Sequence, residues 1–196
     1  MRSVLFSSLL VLATCASSAR GDGPEDLRLV TNPSLSPDGT TLVFVWGGDI
    51  WSVPSEGGTA KPLTRNSARD REPHFSPDGK QIAFVSDRSG SNQVYLMSAE
   101  GGVPKQITHH TAGQSLQGWF PDGQSLLIGA TRDFFWRDGE RFFKVRLDQR
   151  VAEQLLFDAA GANGDLSPDG KKLLFTREGE PWWRKGYHGS QATQIW

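Results

Sequence analysis

The chain of 196 residues carries 21 Lys and Arg against 22 Asp and Glu, a formal net charge of −1. That balance argues against a nucleic-acid binder, which needs a basic face to displace counterions from phosphates. Hydrophobic residues at 37% and charged residues at 22% are too apolar for a disordered chain and too polar for a membrane bundle, and 22 glycines favour strands and tight turns.

The first segment reads as an address. Arg2 precedes an apolar run from Val4 to Ala13, and the small residues Ala16, Ser17, Ser18 and Ala19 follow. A positive start, a short apolar core and small residues at −3 and −1 predict a secretory signal over residues 1–19, cleaved before Arg20. The run is too short to span a bilayer permanently. The expected location is therefore outside the cytoplasm, periplasmic or extracellular. Leu12-Ala13-Thr14-Cys15 resembles a lipoprotein signal, with Thr14 where Gly, Ala or Ser is usual, so a membrane is a partner only if Cys15 is lipidated. With ordinary cleavage no cysteine remains, which excludes disulfides, a thiol nucleophile and thiolate metal sites.

A lead-in strand is expected within residues 20–32, after which a repeat takes over. Ser36-Pro37-Asp38-Gly39 recurs as Ser76-Pro77-Asp78-Gly79, Phe120-Pro121-Asp122-Gly123 and Ser167-Pro168-Asp169-Gly170, so the prolines stand 40, 44 and 47 residues apart. Each copy is a turn: proline presets φ, aspartate bonds nearby backbone, and glycine takes the left-handed conformation. A short unbroken apolar run follows every turn: Leu42–Val45, Ile82–Val85, Leu126–Ile128 and Leu173–Phe175. Such runs mean strands covered on both faces. Further strands follow at Ile50–Val53, Val94–Met97, Phe142–Val145 and Gln194–Trp196, then polar ones at Lys61–Thr64 and Lys105–Thr108.

Four strands in about 40–47 residues is propeller-blade spacing. The expectation is an all-β chain, a β-propeller over residues 33–196 with blades at about 33–72, 73–115, 116–163 and an incomplete 164–196. The unfinished unit leaves two readings. Leu27–Val30 supplies its last strand and closes a four-bladed ring, or the chain is the first part of a longer, six-bladed propeller.

No active site is legible. Gly113-Gln114-Ser115-Leu116-Gln117-Gly118 has its second glycine one residue too late for a nucleophile elbow and precedes a strand. His74, His109, His110 and His188 form no HExxH, and adjacent His109 and His110 point to opposite faces of an extended segment, as solvated loop residues do. Asp87–Asn92 lacks the spaced carboxylates of a calcium loop. No phosphate-cradling glycine motif is present. Catalytic residues, metal and cofactors are all expected to be absent. Phe134-Phe135-Trp136-Arg137 and Arg141-Phe142-Phe143 read as inter-blade core.

The stretch Pro73 to Arg88, with its Phe-Ser-Pro-Asp-Gly-Lys core, resembles the TolB-type propeller repeat, which specifies a fold and leaves function open. Pro181-Trp182-Trp183-Arg184-Lys185-Gly186-Tyr187-His188-Gly189, followed by Gln194-Ile195-Trp196, resembles the Trp-Lys-Gly-Tyr-Arg-Gly-Gly…Ile-Trp segment of tricorn proteases, with His188 in place of the usual arginine. Asp49-Ile50-Trp51 matches their first blade. This resemblance covers about Leu29 to Trp196 and implies the N-terminal propeller of a secreted serine peptidase, which guides peptides to or from a catalytic core whose motifs these residues lack. The competing reading is a non-enzymatic TolB-like propeller that binds a peptide or protein partner. Two readings stand for the terminal cluster: its tryptophans pack between blades with the basic residues simply exposed, or Trp182, Arg184, Lys185, Tyr187 and His188 are candidate peptide contacts at the rim of the propeller channel; the full-length protein is a possible homo-oligomer.

Overall fold

The computed structural model describes residues 29–132, 139–149, 151–177 and 194–196. Fifteen strands and no helix are formed among them. The first sheet is β1 (Thr31–Leu35), β2 (Thr41–Trp46), β3 (Asp49–Pro54) and β4 (Lys61–Pro62). The second is β5 (Asp70–Phe75), β6 (Gln81–Ser86), β7 (Gln93–Ser98) and β8 (Lys105–Gln106). The third is β9 (Ser115–Trp119), β10 (Ser125–Ala130), β11 (Arg141–Arg146) and β12 (Gln154–Leu155). The fourth has three strands, β13 (Ala162–Leu166), β14 (Leu173–Arg177) and β15 (Gln194–Ile195). Every sheet is an antiparallel meander in chain order.

The repeated turn starts each meander by joining its first two strands. In the second sheet Gly79 N–H donates to Ser76 O at 2.8 Å, closing the turn, and Lys80 N–H donates to Asp78 Oδ1 at 3.1 Å. The Ser76 hydroxyl donates to Asp78 Oδ1 at 2.7 Å and accepts Gln81 N–H at 2.9 Å. The Ser36 and Ser167 turns repeat this set. In the third turn Phe120 replaces serine, and the aspartate bond to Gln124 N–H at 2.8 Å remains. The serine hydroxyl, followed by backbone amides, holds the carboxyls of Asp38, Asp78 and Asp169 below their ordinary 3.8.

The sheets stack face to face. β6 sends Ile82 and Phe84 against Val43 and Ile50 of the first sheet, and Ala83 and Val85 against Leu126 and Ile128 of the third. β10 sends Leu127 the other way, beside Phe142, where Leu173 and Phe175 of the fourth sheet pack. Alternate residues of one strand thus enter two different cores, the physical reason the central strands read as unbroken apolar runs. On β14 the same pattern is covered from one side: Phe175 meets Phe142 at 5.4 Å between ring centroids, while Leu174 is 56% exposed.

Of the proposed closing strand, Leu29 and Val30 fall among the described residues. They lie in no strand, Leu29 is exposed, and among the described residues β15 pairs with β14 alone. The four sheets form an open, partial β-propeller.

Candidate functional site

The first strands of the four sheets are neighbours: β1 packs on β5, β5 on β9 and β9 on β13. They therefore line the axis about which the sheets are arranged. Each carries a bulge where its register slips against the second strand. Asn32, Glu72 and Asn163 occupy three of these bulges with φ of 48°, 52° and 53°. Asparagine tolerates that left-handed conformation, whereas at Glu72 it stores strain held by the packing around it.

The bulge residues bind one sheet to the next. Glu72 Oε2 accepts Leu116 N–H at 2.7 Å, and Gln117 Oε1 accepts Gly164 N–H at 2.8 Å. Trp119 Nε1 donates to His74 O at 3.0 Å. At the turns, proline of one sheet meets glycine of the next; a Cβ added at Gly170 (φ 68°) would lie 3.1 Å from Pro121 Cδ.

These strands enclose an open groove of about 350 Å³. Ser34, His74, Gly118 and Asp165, each three residues before a turn proline, line it together with the turn prolines and Trp119. Burial pushes the His74 imidazole below its ordinary 6.5, and the Asp165 carboxylate opposes this. The groove thus offers a largely neutral imidazole, a carboxylate and an apolar proline–tryptophan lining. That set can hydrogen-bond a peptide backbone and hold an apolar side chain. Among the described residues no serine hydroxyl bonds an imidazole and no group of three or more acidic, histidine or cysteine side chains is placed to hold a metal.

The candidate contacts Trp182, Arg184, Lys185, Tyr187 and His188 lie outside the described residues, as do Phe134–Arg137. In chain order residues 178–193 fall between β14 and β15. Ser115 opens β9 and donates to Glu140 Oε2 at 2.8 Å, an extended setting unlike a nucleophile elbow. His109 is exposed, and His110 Nδ1 accepts Ala112 N–H at 3.2 Å. Asp87 accepts Arg69 N–H at 2.8 Å, and Phe142 and Phe143 are buried between sheets. His74, Trp119 and Asp165 escaped the sequence reading because their approach depends on stacking. Their shared distance from the turn proline was the available signal.

Antiparallel sheets, three of them with four strands and the fourth with three among the described residues, packed face to face around a groove lined by their first strands define a β-propeller. Residues 27–196 match the model of the tricorn protease N-terminal beta propeller domain, and the chain belongs to that family. An uncharacterized peptidase of Bacillus subtilis (strain 168), YuxL, is 37% identical over 80 residues, which are 35% of this chain and 12% of the relative. The structure of a TolB from Agrobacterium tumefaciens superposes with a TM-score of 0.70 at 26% identity, covering 86% of this chain and 57% of that one. The tricorn protease structure superposes with a TM-score of 0.68 at 23% identity, covering 86% of this chain and 17% of that one, a likeness of fold. The chain therefore spans about an eighth of the curated peptidase and somewhat over half of the Agrobacterium TolB.

Proposed function

We propose that this propeller portion serves an exported, tricorn-like serine peptidase by guiding peptides to or from a catalytic core that these residues do not contain. The observation that carries the reading is the axial groove, whose neutral imidazole, carboxylate and proline–tryptophan lining suit an extended peptide and lack a nucleophile–base pair. The matching family and the similar Bacillus peptidase favour a proteolytic whole. The sequence cluster Trp182, Arg184, Lys185, Tyr187 and His188 is assigned to peptide contact, with arginine and lysine drawing carboxylates and the aromatics giving apolar area. Export rests on the signal pattern of residues 1–19, and residues 33–196 are taken as one propeller domain. The second reading, a TolB-like propeller that docks a peptide or protein without cleaving it, is favoured by the TolB superposition.

Turnover of a long unfolded polypeptide and of a tetrapeptide by the intact protein tests both. Arg184→Ala with Lys185→Ala is expected to slow the long substrate several-fold and leave the tetrapeptide unchanged, less so at high salt, which screens exposed charge beyond about 8–10 Å. Equal slowing of both substrates refutes guiding. Saturable peptide binding with no turnover of either selects the TolB-like reading.

A further inference from the structure

A second polar site lies at the other ends of the strands from the axial groove, in the space between the second and third sheets. It is a recess of about 240 Å³ whose walls include Arg71, Glu72, Gln114, Ser115 and Glu140. Two of its groups are incompletely satisfied. Gln114 is 5% exposed, and its Oε1 is buried with no hydrogen-bond partner among the described residues. Arg71 uses its Nη2 on Asn92 Oδ1, while its Nε–H is buried without a partner among the described residues. A buried donor or acceptor left without a partner is costly, so two of them in one recess mark a place built to meet something.

Two carboxylates stand beside them, each anchored by one oxygen to adjacent residues of the third sheet. Glu72 Oε2 takes Leu116 N–H at 2.7 Å, and Glu140 Oε2 takes the Ser115 hydroxyl at 2.8 Å. Glycine at 129 admits the second carboxylate: a Cβ there would stand 2.2 Å from Glu140 Oε2. The second sheet contributes strain to the same place, because Glu72 reaches across from a left-handed backbone.

We propose that this recess binds a compact primary ammonium adjoining a carbonyl, the chemistry of a peptide amino terminus. Two carboxylates against one guanidinium favour a cation over an anion. The Arg71 Nε–H in the wall repels a bare metal ion. An ammonium has three donors for the remaining oxygens of Glu72 and Glu140 and for Gln114 Oε1, and the carbonyl beside it accepts from Arg71 Nε. Burial, with Glu140 adding to it, pushes the Glu72 carboxyl above its ordinary 4.5 against the Leu116 amide and Arg71, and a cation drawn alongside favours the charged form. The site is separate from the axial groove, so neither reading depends on the other.

Calorimetric titration of the intact protein with glycinamide hydrochloride tests it, with N-acetylglycinamide and sodium acetate as probes lacking the ammonium. Glycinamide is expected to bind saturably with a Kd on the order of 1–10 mM, as befits so small a ligand, and the other two not to bind. Glu140→Gln keeps an acceptor for Ser115 and is expected to weaken glycinamide at least about tenfold, roughly 1.4 kcal/mol. Gln114→Met removes the unpaired oxygen, so binding falls while the melting temperature holds or rises, a combination that a purely structural glutamine does not produce. If Glu140→Gln does not fold, Gln114→Met decides. No saturable heat up to 50 mM glycinamide, equal binding of N-acetylglycinamide, or wild-type affinity in Gln114→Met overturns the proposal.

Discussion

Replacing Asp70 by asparagine probes a buried ion pair that ties the first strand of the second sheet to the segment following its second strand. Asp70 is fully buried at the start of β5, and Arg88 Nη2 donates to both its oxygens at 2.9 and 3.0 Å. Arg88 is three-quarters buried, lies over the rings of Tyr95 and Phe84 at 4.9 and 5.4 Å, and places its Nε on Ser86 Oγ at 2.8 Å. Removing one partner of a buried pair typically costs about 3–5 kcal/mol, because the other charge is left uncompensated. Asparagine keeps one acceptor and the guanidinium keeps its stacking, so a loss of about 2–3 kcal/mol is expected here. With a urea m-value of about 2 kcal/mol/M, the midpoint falls by about 1–1.5 M. Arg88→Met in the Asp70→Asn background is expected to lose far less than the sum of the two single changes, since the pair fails as a unit. The loss is expected to be equal at low and high salt, because a buried pair is little screened. A midpoint shift below about 0.3 M, or additive single and double variants, refutes the reasoning. The third sheet is an internal comparison: Arg132, also eleven residues after its turn proline, has Gln114 and Ala130 where Arg88 has Asp70 and Ser86, and pairs with Glu153.

Two further outcomes follow from the titrating groups. Burial holds folded His74 below 6.5, so as the pH falls through about 6.5 the unfolded chain takes up a proton that the folded one refuses, and stability declines. His74→Gln is expected to flatten the change in melting temperature between pH 7.5 and 5.5, and an unchanged slope contradicts the buried neutral ring. Asp78 has its carboxyl lowered chiefly by Ser76, so its stabilising contribution is present above pH 3.8 and is lost as the pH falls through its folded value. In Ser76→Ala that carboxyl is expected to titrate nearer 3.8 by carbon-detected NMR. A titration curve unchanged from the natural protein shows that the backbone amide alone sets it.

Local chemistry was enough to make the repeat visible in the sequence. Proline, aspartate and glycine shape each turn from within four residues, and the unbroken apolar run after it reports strands covered on both sides, so the four-stranded unit and its stacking were legible without any long-range contact. What the strands present to one another was decided by tertiary structure. Two successive residues of β6 enter different cores, Glu72 is driven into a left-handed backbone to reach Leu116, and Gly129 is required because Glu140, just ahead of β11, approaches it. The groove residues His74, Trp119 and Asp165 belong to separate repeats with nothing between them in sequence to suggest contact; they converge because bulged first strands of adjacent sheets face one axis. A turn depends on the dihedral preferences of its own residues, whereas a site assembled between sheets depends on register, bulge position and the spacing of whole blades.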